Sequence, residues 1–501
     1  MLQDIIELVT FVKNRKPSLS DVILTGLNGS TNLYQKLFQA IAQGEVTDDE
    51  TASRYLYKST QTDKKYLMLK NRLRERLVNS LLIINKKKIS AETYSQAVHI
   101  GHKYYYAARV MSAAGAHQSA IMLAKTALTT AERFHLTELT LGCAALLRSI
   151  FAYAGAKREF SKYDKLCTEA YELLAAELKS VLLVEQLYVH LARTKSHDEQ
   201  LARQAKRSMQ KVKKLLTRHN SFAVQDAYFR IGTLYYQLIK DYPGLLDLLV
   251  LYEKYLLQHP HLFLHVQKGK FALLRIGAYL YLREFEKGKQ EAERAMQLFR
   301  RGSNNWFTTL ENYFLLCMQA GDFGRAEQLF DLATQHERFA VLSEVKKETW
   351  KVFEAYLLYA LPDRRQQKTF RIQKFLNEVP IFQKDKAGLY PAILIAQVLF
   401  LFEFLDESRL EKTLESLRIY ATRHLKQVSA PRTINFIKIM RLLFHYQYDL
   451  KKAEAKIQLP LARMQQALQA PREERDTLEI ISYEYLCARL LERLKTFNKR
   501  T

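Results

Sequence analysis

Three histidines that lie close together in the chain, His259, His261 and His265, have the spacing best suited to hold a metal ion. Neutral imidazole nitrogens bind zinc, and these spacings would bring two rings onto one face of a helix that began after Pro260. A structural metal site needs four ligands as a rule, and no carboxylate or thiol nearby completes such a set. We therefore predict no metal site here and interpret the three residues as polar histidines in a loop between helices.

The chain also lacks the residue patterns that common enzyme chemistries require. It contains no GxxxxGK[ST] or GxGxxG phosphate loop, no HExxH, no GxSxG nucleophile turn and no acidic calcium loop. The acidic run at residues 48–50 is typical of a helix start, where carboxylates stabilise the positive end of the helix dipole. Thr47 and Glu50 have the spacing of a capping box. We predict a protein that is not an enzyme and needs no cofactor; an enzyme or a small-molecule sensor remains an alternative, because a pocket need not show in spacing.

Clustered cations are the strongest chemical signal, in a chain with 77 Lys and Arg, 52 Asp and Glu and a formal charge of +25. Seven cations and no carboxylate lie between residues 203 and 218, and five of the seven recur at helical spacing: Arg203, Arg207, Lys211, Lys214 and Arg218. A second run lies at residues 364–374. Such ridges attract the phosphates of nucleic acids, because each neutralised phosphate releases a counterion. The alternative is an ordinary solvated helix face, which lysine and arginine routinely form.

Cysteine usage and the apolar segments indicate the compartment. The four cysteines, Cys143, Cys167, Cys317 and Cys487, show no paired spacing, so we expect buried thiols in a reducing environment. The N-terminus carries Asp4 and Glu7 where a secretion signal would be positively charged. The longest apolar stretch, 392–405, is shorter than the roughly 20 residues that cross a bilayer. We expect a cytoplasmic protein without membrane insertion.

The elements that position these residues are predicted to be helices throughout. The 501 residues include only 16 glycines and 9 prolines, whereas β-sandwiches and barrels use both at every hairpin. Hydrophobic residues make up 48% of the chain, which excludes wholesale disorder. From about residue 90, small residues, glycine-containing turns and aromatic residues recur at roughly 38–44 residues, the pattern of an α-solenoid of helix–turn–helix units.

One unit, 307–335, resembles a tetratricopeptide repeat. The resemblance rests on Gly321, Asp322 and Phe323 at its turn and on packing positions further along, Ala326, Phe330 and Ala333. Residues 101–130 match nearly as well, although the period exceeds the family's 34 residues, and a HEAT-type stack is the structural alternative. We predict an all-α superhelix of about nine irregular, tetratricopeptide-like repeats over 90–470. A small N-terminal helical module would occupy 1–89, and a C-terminal capping helix would occupy 471–501.

The resemblance also implies a binding groove, because the first helix of each tetratricopeptide unit lines the concave surface. The family's groove positions correspond here to seven residues: His102, Tyr105, Arg109, Arg148, Arg230, Gln237 and Lys270. Guanidinium groups bind carboxylates and tyrosines add rigid contact area, so the expected ligand is an acidic protein segment or peptide. The sequence thus favours a non-enzymatic scaffold that binds protein, with nucleic-acid binding through the basic helix faces as the alternative; it leaves the oligomeric state open.

Overall fold

The computed structural model of the chain describes residues 2–15, 33–60, 63–83, 94–193, 199–262, 265–361, 390–404, 406–425, 430–469 and 479–498. Within these ranges the chain is helical and contains no β-strand, which confirms the all-α prediction. Helices that follow one another in the chain pack against each other, as in a helical-repeat protein. None of the described helices combines the length and hydrophobicity that a membrane span requires.

Twenty-one α-helices are described, numbered here in chain order. The first eight are α1 (Gln3–Arg15), α2 (Leu33–Gln43), α3 (Asp49–Tyr57), α4 (Lys64–Ile83), α5 (Tyr94–Ala113), α6 (His117–Arg133), α7 (Thr137–Tyr153) and α8 (Lys157–Arg193). The next eight are α9 (Glu199–Leu216), α10 (Phe222–Leu238), α11 (Tyr242–Gln258), α12 (His265–Leu282), α13 (Phe285–Leu298), α14 (Asn304–Ala320), α15 (Phe323–Thr334) and α16 (Glu344–Ala360). The last five are α17 (Tyr390–Phe404), α18 (Glu407–Tyr420), α19 (Pro431–His445), α20 (Leu450–Gln469) and α21 (Tyr483–Asn498).

The packing divides the chain into two compact units, Met1–Leu166 and Cys167–Thr501. In the first unit, α1 to α4 enclose a hydrophobic cluster of their own, and α5 to α7 form a second cluster around small residues. Ala120, Ala124 and Ala127 are fully buried, so neighbouring helices approach closely there. A Cβ atom at Gly101 would lie 2.5 Å from the Leu139 side chain, which shows how tightly α5 meets α7.

The predicted capping box at Thr47 is wrong by one residue. The N-cap of α3 is Asp48, whose carboxylate accepts a hydrogen bond from the backbone N–H of Thr51 at 2.8 Å. Asp49, the first residue of the helix, accepts hydrogen bonds from the Tyr66 hydroxyl and the Lys70 ammonium, each at 2.7 Å. These contacts tie the first turn of α3 to α4.

One turn geometry recurs between the paired helices. At six turns a single residue adopts the left-handed region, with φ between 54° and 79°, and the N–H of the next residue donates to the carbonyl five positions before it at 2.8–3.0 Å. This is the Schellman arrangement that ends a helix and reverses the chain. The left-handed residues are Gly115, His135, Gly155, Lys240, Arg283 and Gly321.

The second unit has its largest hydrophobic core around α14 to α21. Every residue of α17 from Pro391 to Phe402 is buried, so the longest apolar stretch of the sequence is a central core helix. In the same core the rings of Phe314 and Phe353 stack, and Trp350 meets both of them edge to face, with ring centroids 4.7–5.8 Å apart. The C-terminal helix α21 contributes Leu486, Leu490 and Leu494 to it.

Candidate binding surfaces

His102, Tyr105 and Arg109 lie on one face of α5 and line a common cleft of about 620 Å³. Their spacings of three and four residues correspond to successive turns of a helix, so the side chains project on the same side. The other described residues that line the cleft are Ser95, Val98, His99, Lys103 and Tyr106. The structure therefore brings together the three groove residues predicted in the first unit, and it adds Lys103 and Tyr106, which the family positions did not include.

Tyr105 forms a fixed wall of this cleft. Its ring is half-buried against the hydrophobic cluster of α5 to α7, and its hydroxyl lies against Gly142 of α7. A Cβ atom at Gly142 would stand 2.8 Å from that hydroxyl oxygen, so glycine is what leaves room for the ring. Tyr106 is 62% exposed and offers a second, accessible aromatic surface beside it.

The described lining of the α5 cleft is cationic. Lys103 and Arg109 are exposed, and the part of the lining that the structure describes includes no carboxylate. A cleft of this composition attracts carboxylates or phosphates, and its two tyrosines provide contact area for apolar groups.

Arg148 is the fourth predicted groove residue of the first unit, and it is ion-paired. Its guanidinium donates to the Asp164 carboxylate at 3.0 Å, with both side chains partly exposed. It does not appear among the described residues that line the α5 cleft. Because Asp164 compensates its charge, Arg148 adds less attraction for an acidic ligand than the sequence alone suggests.

Arg230 and Lys270 surround an acidic group in the second unit. The Arg230 guanidinium lies 3.9 Å from the Asp226 carboxylate and stacks on the Tyr188 ring, with 5.2 Å to the ring centroid. Burial raises the pKa of Asp226, while the Tyr252 hydroxyl, 3.1 Å away, and the charges of Arg230 and Lys270 oppose that rise. Lys270 is exposed, and so is Gln237 on α10, which completes the predicted set.

The predicted basic ridge is a continuous exposed surface of α9 and the turn after it. All five of its residues, Arg203, Arg207, Lys211, Lys214 and Arg218, are exposed. The opposite face of the helix is apolar, and Leu201, Ala205 and Val212 are buried against α8 and α10. In the described part of the chain, the ion pair on this surface joins Arg203 to Glu199 at 3.6 Å. The second predicted run of cations, at 364–374, lies outside the described residues.

The thiols of the chain lie in the interior of the structure. All four cysteines are buried, and burial raises the pKa of Cys143, Cys317 and Cys487 to about 12 in each case, so these thiols stay protonated. No group of three histidine, cysteine, aspartate or glutamate residues suited to a metal ion occurs within the described ranges. The His259 ring lies at the end of α11 with its centroid 4.8 Å from that of Tyr255.

A second cleft, of about 840 Å³, lies between α18 and α19 and was not predicted from the sequence. Glu407, Glu411 and Glu415 line one side at successive helical turns, and Arg441 and His445 line the other. The repeat of glutamate every fourth residue is the only sequence signal for it, and exposed helices commonly carry that pattern.

Comparison of the chain with models of protein families, with curated proteins and with solved structures gives no match.

Proposed function

We propose that the protein is a non-enzymatic helical-repeat scaffold, built from tetratricopeptide-like helix pairs, whose α5 cleft binds an acidic segment of a partner protein. The observation that carries this proposal is the convergence of His102, Tyr105 and Arg109 on one cleft with Lys103 and Tyr106. Four buried cysteines fit a reducing compartment, so the proposal includes a cytoplasmic location.

The chemistry of the cleft favours a peptide that carries carboxylates next to an apolar group. The Arg109 guanidinium offers paired donors for a carboxylate, and the ammonium of Lys103 adds a second charge. Tyr105 is held rigidly by its packing at Gly142, so its contact with a ligand costs little side-chain entropy. Arg230 and Lys270 extend the hypothesis to the second unit, where Asp226 compensates part of their charge.

Charge reversal in the cleft tests the proposal. Tagged full-length protein is used to recover partners from a lysate, with and without nuclease, and the main partner is then titrated against purified variants. Lys103→Glu/Arg109→Glu is expected to weaken binding at least tenfold, since attractions to the ligand's carboxylates become repulsions. Arg207→Glu/Lys211→Glu on α9 is the matched control and is expected to bind as the wild type does. Equal affinity of the cleft variant and the wild type contradicts the proposal.

A second candidate function is nucleic-acid binding through α9. The solvent exposure of five cations favours it, because phosphate contacts need accessible cations: Arg203, Arg207, Lys211, Lys214 and Arg218. This hypothesis predicts the opposite ranking of the same two variants. The α9 variant is then expected to lose affinity for labelled RNA or DNA. The slope of the logarithm of its binding constant against the logarithm of the salt concentration should become shallower by about one for each phosphate that it no longer neutralises.

A further inference from the structure

The helix α8 has two apolar faces, and within the part of the chain that the structure describes one face is buried and the other is exposed. Ser180, Val184 and Leu187 lie on the covered face and are buried in the core of the second unit. Tyr171, Leu178 and Leu182 lie on the opposite side of the helix and are 65%, 61% and 51% exposed. A surface helix normally buries its apolar side chains, so a second apolar face that stays exposed is suited to a partner.

The exposed face has the spacing of a helix–helix seam. Tyr171, Ala175, Leu178 and Leu182 are separated by four, three and four residues, the alternation by which apolar side chains of one helix fit between those of another. All four are exposed. Half-buried Leu174 and Val181 border the seam on one side, and exposed Glu172 and Lys179 border it on the other.

We infer that this face binds the same face of a second copy of the chain, so that two α8 helices pair in antiparallel orientation. When the twofold axis passes between positions 176 and 177, Ala175 faces Leu178 of the second copy, and Tyr171 faces Leu182 of the second copy. Symmetry repeats both contacts, so a small residue meets a large one at the centre of the seam and two large residues meet at each end. A self-complementary surface is what a twofold homodimer requires.

Charge complementarity supports this occupant and this register. The antiparallel pairing brings Glu172 beside Lys179 of the second copy, and symmetry forms the same ion pair twice. The exposed apolar residues of α11 lack these properties, since Val250 and Leu257 are separated by the charged residues Glu253 and Lys254. The inference concerns self-association and is independent of the ligand proposed for α5.

The test begins with the molar mass of the full-length protein, measured by light scattering during size-exclusion chromatography over a range of protein concentrations. The wild type is expected to be a dimer, and Leu178→Glu/Leu182→Glu a monomer with unchanged helical circular dichroism. Val250→Glu/Leu257→Glu replaces equally exposed apolar residues on α11 and is expected to remain a dimer. A monomeric wild type, or a dimer that tolerates the α8 substitutions, overturns the inference.

A charge swap tests the register without altering the apolar seam. Glu172→Lys and Lys179→Glu are each expected to weaken the dimer about tenfold, because each places like charges together twice. The double variant Glu172→Lys/Lys179→Glu restores opposite charges and is expected to dimerise as the wild type does. A double variant as weak as the single variants overturns the proposed pairing, since a purely structural effect of the substitutions would not be reversed.

Discussion

Arg432 is a charged side chain that is only 1% exposed, and each of its five guanidinium N–H groups has a hydrogen-bond acceptor. Its guanidinium donates to both carboxylate oxygens of Glu479 at 2.6 and 2.9 Å and to both of Glu484 at 2.8 Å. A fifth hydrogen bond goes to the carbonyl of Met464 at 2.9 Å. Because Glu479 precedes α21, this cluster fastens the C-terminal helix to α19 and α20.

Removing the Arg432 cation alone is therefore expected to destabilise the protein strongly. Arg432→Met leaves two carboxylates without their buried partner and should lower the free energy of unfolding by about 3–5 kcal/mol. Arg418→Met is the matched control, since Arg418 forms an exposed ion pair with Glu415 and should change stability by less than about 1 kcal/mol. Urea denaturation of the three proteins measures both values. Equal losses in the two variants would mean that the buried cluster contributes no more than a surface pair.

The same cluster predicts acid sensitivity. Burial of Glu484 favours its neutral form, but the hydrogen bond and charge of Arg432 outweigh burial and hold the pKa below the ordinary value of 4.5. Below that pH the unfolded chain binds the proton more readily than the folded one, so stability falls as pH decreases through this window. Glu484→Gln removes the titrating carboxyl group. The free energy of unfolding of this variant should depend less steeply on pH below 4.5 than that of the wild type. Parallel pH profiles for the two proteins would contradict the assignment.

The sequence could not predict this cluster. Arg432 and its partners lie 47 and 52 positions apart and belong to different elements, and nothing local distinguishes them from surface residues. Local signals are more informative for α3, where the acidic run marks the helix start. Even there the predicted cap is misplaced by one residue, because threonine and aspartate both suit an N-cap and the structure uses Asp48 rather than Thr47.

Among the elements, the hairpin turns are more regular in structure than in sequence. Gly115, Gly155 and Gly321 mark three of the six left-handed positions, and glycine adopts this region without strain. His135 and Lys240 occupy equivalent positions, where an L-residue is conformationally disfavoured. The sequence does not reveal the left-handed conformation at His135, because no glycine marks the turn there.

Two glycines near one turn allow a matched test of this argument. Gly321→Ala meets no neighbouring atom within 4 Å, but φ is +79°, so backbone strain should lower stability by about 1 kcal/mol. Gly324→Ala also meets open space and lies inside α15, where alanine is the better helix former, so stability should rise by about 0.5 kcal/mol. Thermal unfolding distinguishes the two signs. A loss of stability in both variants would point to steric contacts rather than backbone conformation.

The α5 cleft can be compared with the groove positions that the tetratricopeptide resemblance implied. The resemblance predicted the three residues on one helix face, His102, Tyr105 and Arg109, because the spacing along a helix alone places them together. It did not include the carboxylates that compensate two of the predicted cations. The contact of Arg148 with Asp164 depends on how α7 and α8 pack, whereas Asp226 lies four residues before Arg230 in α10, a spacing that the sequence does show. The cleft between α18 and α19 likewise arises from packing.

At the scale of the whole molecule, the charge of +25 is unevenly distributed and part of it opposes folding. In α9 the cations Arg203, Arg207 and Lys211 follow one another at four-residue intervals, and all are exposed. Like charges at this spacing destabilise a helix by about 0.2–0.5 kcal/mol per pair. A surface that accumulates such pairs is less stable than one that mixes both signs of charge.

Arg207→Glu should therefore make the protein more stable and less attractive to polyanions at the same time. The substitution turns two repulsions, with Arg203 and Lys211, into attractions, so the free energy of unfolding should rise by about 1 kcal/mol at low salt. Salt screens exposed charges, so the gain should largely disappear at about 1 M salt, where the Debye length is only about 3 Å. Arg207→Gln removes the repulsions without adding attractions and should gain about half as much. Denaturation of the three proteins at low and high salt measures these differences. A loss of stability in Arg207→Glu at low salt would contradict the repulsion between Arg207 and its neighbours Arg203 and Lys211.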